Sequence, residues 1–213
     1  MAPSTWLYLI RHGEVERAGE GRFFGHTDVG LSATGLAQVE ALARDLAGER
    51  IEAVYASDLR RARQSATPLA GARGLEPTVV AALREVAMGR WEGLTFGEIR
   101  DRDPELLAQW LANLATCGFP DGETLADLRA RVLPALDAIL ARHAGRRVAV
   151  VAHGGTNRII LAEALGLPLG HILRLAQDYA GWSLVEYRAS GPVLHALNQR
   201  VAVASPAEPS PVR

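Results

Sequence analysis

Two unbroken apolar runs, each stopping at a histidine followed by glycine, restrict the architecture of this chain more than any other feature. Trp6-Leu7-Tyr8-Leu9-Ile10 stops at Arg11-His12-Gly13-Glu14, and Val148-Ala149-Val150-Val151-Ala152 stops at His153-Gly154-Gly155. A strand with one wet face alternates apolar and polar residues. A strand without alternation is covered on both faces, as in a parallel sheet flanked by helices.

The intervening chain supplies the helices. Residues 17–30 carry four glycines and no period, and read as a loop. Ser32 or Thr34 then caps a helix with Leu36, Val39, Leu42, Ala43 and Leu46 on its inner face, ended by Gly48. Ile51 to Tyr55 reads as a second strand, with Ser57 as N-cap of a helix carrying Leu59, Ala62, Ala66 and Leu69 inward. A short strand at 78–80, a loop at 84–94 around Trp91, and short helices at 96–102 and 104–115 follow. Phe119-Pro120-Asp121-Gly122 is a turn, and Thr124 with Asp127 forms a capping box for a helix that Pro134 is expected to kink. A helix over 156–165 stops at Gly166, and 183–188 with 193–198 form a hairpin about Gly191-Pro192. The expected fold is α/β, a three-layer sandwich with a mostly parallel central sheet and helices on both faces. Residues 1–201 form one domain with a cap-like insertion at about 86–125, and the proline-rich 202–213 read as a mobile tail.

Charge and composition exclude several classes. Lys plus Arg is 23 and Asp plus Glu is 24, so the basic surplus of a nucleic-acid binder is lacking. No apolar run approaches the ~20 residues of a membrane span, and no signal-type segment opens the chain, so a cytoplasmic protein without membrane partners is expected. Cys117 stands alone, which rules out an internal disulfide or a cysteine-rich metal site. Oligomeric state, monomer or homodimer, is not readable.

In open α/β sheets ligands bind beyond the carboxyl ends of the strands. His12, His153, Arg11 and the Ser57-Asp58-Leu59-Arg60-Arg61 cluster all follow strand ends, so they should meet at one edge. Guanidinium groups pair with phosphate oxygens, and a neutral imidazole nitrogen can attack phosphorus. A carboxylic acid is then needed to protonate the leaving oxygen and later activate water.

Leu9-Ile10-Arg11-His12-Gly13-Glu14 resembles the signature of the histidine phosphatase superfamily, whose fold is called phosphoglycerate mutase-like. Gly25-His26-Thr27-Asp28, Ser57-Asp58-Leu59-Arg60-Arg61-Ala62, Leu83-Arg84-Glu85 and Val151-Ala152-His153-Gly154-Gly155 with Arg158 resemble its further motifs, in order, over about residues 5–200. The resemblance implies that His12 is phosphorylated and that Arg11, Arg61, His153 and Gly154 hold the phosphoryl group. It implies Glu85 as acid and then base; Glu92 is the competing carboxylate, or else an exposed loop residue or a helper near Trp91, and Glu14 reads as a structural anchor for the loop after His12. Arg61, rather than Arg60 or Arg63, keeps the family's spacing. Two positions depart from the family pattern: Val15 stands where Ser or Thr is common, and Ala18 where an Asn often donates to phosphate.

The stretch after Glu85 is similar to the phosphatase branch rather than the mutases. Within that branch, Arg22-Phe23-Phe24-Gly25-His26-Thr27-Asp28 and Gln177-Asp178-Tyr179-Ala180-Gly181-Trp182-Ser183 resemble the alpha-ribazole phosphatases. That resemblance implies a small phosphorylated substrate, alpha-ribazole 5′-phosphate of cobalamin assembly, with Arg22, Phe23, Phe24, Gly25 and Trp182 as substrate contacts and the rings of Phe23, Phe24, Tyr179 and Trp182 facing its aromatic base. A broad-specificity small-molecule phosphatase, a phosphoglycerate mutase and a protein phosphatase are the alternatives. No cofactor and no metal is implied. A binding module that merely kept the fold would have lost His12, Glu85 or His153, and all three are present. The rate is expected to fall at both pH extremes, with the acid side in the imidazole range.

Overall fold

Side-chain alternation explains why the apolar runs are unbroken. A computed structural model describes residues 3–201, so the tail expected at 202–213 lies outside the described residues. In β1 (Thr5–Arg11), Leu7 and Leu9 enter one core while Tyr8 and Ile10 enter the other. β4 (Arg147–Ala152) repeats the division, with Val148, Val150 and Ala152 on one side and Ala149 and Val151 on the other. Each wholly buried Leu, Ile or Val contributes about 1.5–3 kcal/mol relative to exposure, so both faces must be covered.

Six strands form one sheet in the order β3-β2-β4-β1-β5-β6. β2 (Ala53–Ala56) and β3 (Thr78–Val79) run parallel to β4 and β1. β5 (Trp182–Arg188) is antiparallel to β1 and to β6 (Gly191–Gln199). The hairpin turn falls at 189–190, before Gly191-Pro192, because Gly191 already pairs with Arg188.

α1 (Ala33–Asp45) and α2 (Arg60–Gly71) pack against each other and cover the face bearing Tyr8 and Ile10. α5 (Leu125–Arg142) and α6 (Gly154–Leu165) cover the other face. Ser32 caps α1 by accepting from the Gly35 N–H at 3.0 Å. Thr124 and Asp127 complete the expected capping box, and α5 continues through Pro134. α6 begins two residues earlier than expected, directly after His153, and ends at Gly166 in the left-handed conformation (φ 63°). α3 (Phe96–Arg102) and α4 (Pro104–Ala112) lie in the segment between β3 and α5, where Trp91, Trp110 and Phe119 pack edge to face.

Two expectations need correction. Leu36 is 45% exposed, because the buried stripe of α1 runs through Gly35, Val39 and Leu42 instead. Ser57 does not cap α2: Leu59 holds that position, and the Arg60 N–H is taken by the Asp28 carboxylate at 2.6 Å. A carboxylate from a distant loop thus does the capping.

Candidate active site

Strand register brings the two histidines together. β1 and β4 pair from Trp6↔Arg147 to Arg11↔Ala152, so His12 and His153 leave adjacent strands at the same level. The His12 N–H donates to the Ala152 carbonyl at 3.0 Å, and the two imidazole centroids lie 5.1 Å apart. The turn after His12 needs glycine, since a Cβ on Gly13 would sit 2.6 Å from the Gly35 carbonyl oxygen. Ser65 fixes this turn from α2 by accepting from the Gly13 N–H at 3.0 Å. Glu14 serves as the expected anchor, accepting from the Ser32 hydroxyl at 2.8 Å.

The hydrogen bonds assign the tautomers. His12 Nδ1 lies 2.7 Å from the Gly13 carbonyl, an acceptor, so Nδ1 carries the proton and Nε2 keeps its lone pair. Arg61 Nε donates to His153 Nδ1 at 3.3 Å, so the His153 proton sits on Nε2. That Nε2 is buried and has no protein partner among the described residues. Burial, then Arg11 and Arg61, push the His12 pKa well below 6.5. Burial, Arg61, His12 and Arg11 do the same for His153. The acid side of any rate profile governed by His12 therefore belongs well below the ordinary imidazole range, which corrects the expectation drawn from sequence.

Arg61 is buried and held by backbone carbonyls. Nη1 donates to Thr27 O at 2.8 Å, and Nη2 to Gly25 O at 2.6 Å and Phe24 O at 3.2 Å. Arg11 donates through Nη1 to Gln177 O at 2.6 Å and lies 4.0 Å over the Tyr179 ring. Its Nε is buried without a protein partner among the described residues. The Gly154 N–H, at the amino end of α6, has no protein acceptor among the described residues. Arg11 Nε, His153 Nε2 and this amide are unspent donors in one place. A buried donor left unpaired costs about 1–3 kcal/mol, so a cluster of them marks an anion site.

Glu85 is 8% exposed. Its Oε1 accepts from the Val86 N–H and its Oε2 from the Gly155 N–H, both at 2.9 Å. Gly155 must lack a Cβ, which would overlap the Glu85 carboxylate. Glu92 instead accepts from the N–H groups of Gly25, His26, Thr27 and Met88 and from the Thr27 hydroxyl. It organises the loop whose carbonyls hold Arg61.

A cavity of about 250 Å³ opens at His12, with His153 buried behind its lining rather than part of it. Arg11, His12, Arg61, Glu85 and Gly154 line it, and Arg22, Phe23, Phe24, Trp110, Phe119 and Tyr179 form part of its wall. Arg22 spends its charge on Glu20 and Glu98 and donates to Gly93 O. Gly25 acts through its carbonyl on Arg61. Val15 lines the cavity, whereas Ala18 sits in a one-turn 3₁₀ helix away from it. The structure does not bring Trp182 to the cavity. That side chain lies on β5 and packs on the α1/α2 side, its ring centroid 5.9 Å from that of Tyr8. Sequence reasoning missed the roles of Asp28, Ser65 and Arg131; each acts through a contact between distant segments that no local pattern announces.

The family model "histidine phosphatase superfamily (branch 1)" matches residues 7–200. The chain belongs to that superfamily. It is 38% identical over 188 residues to a bifunctional protein of Mycobacterium tuberculosis, Rv2228c, covering 88% of this chain and 51% of that one. It thus spans about half the length of the first curated relatives it matches. Phosphoserine phosphatase 1 of Hydrogenobacter thermophilus is 31% identical, covering 90% of this chain and 91% of that one. A solved Escherichia coli structure, described as a putative alpha-ribazole-5′-P phosphatase, superposes with a TM-score of 0.84 at 26% identity. That match covers 96% of this chain and 100% of the other. No described helix is long and apolar enough to cross a membrane.

Proposed function

We propose that this chain is a metal-independent phosphomonoesterase working through phosphohistidine at His12, with alpha-ribazole 5′-phosphate, of cobalamin assembly, as its substrate. The observation that carries this reading is the His12 Nε2 lone pair beside the unspent donors Arg11 Nε, His153 Nε2–H and Gly154 N–H. These donors suit the non-bridging oxygens of a phosphoryl group and the charge that its transition state spreads over them.

In the first half-reaction His12 Nε2 attacks phosphorus and the ester P–O bond breaks. Protonated Glu85 gives its proton to the departing oxygen. In the second, water attacks the phosphohistidine, Glu85 takes a proton from that water, and the P–N bond breaks to return neutral His12 and inorganic phosphate. Arg11 and Arg61 remain cationic throughout. The substrate assignment rests on the cavity wall. Phe23, Phe24, Trp110 and Phe119 line it with aromatic rings, which suit a flat aromatic group, and the Arg22 charge is already met by carboxylates.

The test is phosphate release in excess EDTA from alpha-ribazole 5′-phosphate and from a panel of sugar, nucleotide, serine and glycerate phosphates, with His12→Ala as control. A preference in kcat/KM for the ribazole ester supports the full proposal. Similar release from every ester keeps the mechanism and removes the substrate. Interconversion of phosphoglycerates without release contradicts the hydrolase reading.

A further inference from the structure

We propose that Arg131, on α5 and outside the cavity lining, is a positioning residue that sets the Glu85 carboxyl against the leaving oxygen; the inference rests on the acid role proposed for Glu85. All five N–H donors of Arg131 are engaged. Nη1 donates to Ala82 O at 2.9 Å and Arg84 O at 2.8 Å. Nη2 donates to Glu85 O at 2.7 Å and Glu123 Oε2 at 2.8 Å, and Nε to Glu123 Oε1 at 2.7 Å.

Glu123 extends the clamp. Its Oε2 accepts from the Ala87 N–H at 2.8 Å, and its own N–H donates to Ala87 O at 2.9 Å. His26 Nε2 adds a second bond to Glu85 O at 2.9 Å, and the Thr156 hydroxyl a second to Arg84 O at 2.7 Å. Residues 84–88 belong to no helix or strand, so no ladder fixes them. One guanidinium and its carboxylate partner hold the backbone on both sides of Glu85, and Thr156 ties that backbone to the helix that begins after His153. Lysine carries three donors on a flexible stem and cannot reproduce a planar five-donor fork.

The test is Arg131→Lys assayed on esters of graded leaving-group basicity. Acid catalysis matters most for a poor leaving group. Displacing the acid by about 1 Å should therefore lower kcat/KM for an alkyl phosphate about 10²-fold. For 4-nitrophenyl phosphate the loss should stay within about threefold, and inhibition by inorganic phosphate should not change, because the anion site is untouched. Hydrogen exchange at the Val86 amide, which donates to Glu85, should quicken while that at Ala152 does not. Equal losses for good and poor leaving groups, weakened phosphate inhibition, or unchanged Val86 exchange would each overturn the proposal. Should Arg131→Lys fail to fold, Glu123→Gln leaves the arginine in place and carries the same comparison. A wild-type chain that releases no phosphate from any ester defeats the phosphatase reading and with it the leaving-oxygen role, while Val86 exchange separately reads whether Arg131 holds the Glu85 segment.

Discussion

His12 and His153 are both buried and both held neutral, so unfolding below pH 6.5 takes up two protons that the native state excludes. The sign is fixed by which state binds more protons. The folded pKa values are depressed, so the unfolded chain protonates first, and stability falls as pH drops through the unfolded value of about 6.5. Above that value neither state is protonated and the contribution is flat. Where the folded state excludes the proton across this range, each histidine removes at most about 2 kcal/mol between pH 7.5 and pH 5, and the pair at most about 4 kcal/mol. Against a usual total of about 5–15 kcal/mol this is a large fraction. The carboxylates with lowered pKa values, Glu92 and Glu123 among them, lose most of their contribution below their unfolded value of 4.5, so they add only a small loss of the same sign at pH 5. Urea unfolding at pH 7.5 and pH 5, without phosphate, reads the difference directly. His143, its pKa also lowered by burial and by Arg142 and Arg146, adds in the same direction, so His12→Asn should remove one histidine's share of the difference. Equal stability at the two pH values, or greater stability at pH 5, would refute the reasoning that both imidazoles are buried neutral beside guanidinium groups.

Glu85→Gln should slow release from alkyl phosphates by about 10²–10⁴-fold while sparing 4-nitrophenyl phosphate, read from kcat/KM across leaving groups. Glu92→Gln removes a carboxylate that gathers four N–H groups, so it should cost about 1–3 kcal/mol in unfolding and weaken phosphate inhibition through the loosened Arg61 carbonyls. Trp182→Phe should leave KM for every ester unchanged and lower Tm, because the ring belongs to the core beside Tyr8.

The sheet was legible because double-sided burial leaves an unmistakable trace, apolar runs without alternation. Their polar ends pointed to the site for the same reason: His12 and His153 end parallel neighbours, and parallel register puts such ends side by side. Trp182 was misplaced because it stands at the first position of β5, where the pleat decides between cavity and core, and one residue of register reverses the answer. Leu36 was misplaced because a Gly35 that packs against Glu14 turns the helix face by one position. The supports of the site were illegible for a different reason. Asp28 capping α2, Ser65 holding the Gly13 turn and Arg131 clamping the Glu85 segment are contacts between residues 32 to 52 positions apart in sequence. Local periodicity carries no information about them.

The central claim, a nucleophilic His12 Nε2, is tested most directly by trapping the intermediate. The chain is mixed with a phosphate ester, quenched in alkali within the first turnover, and mapped by mass spectrometry. The account predicts one acid-labile phosphoryl group on His12, absent in His12→Ala and accumulating in Glu85→Gln once a good leaving group is used. Phosphate release with no phosphohistidine, or with the label on another residue, would contradict it.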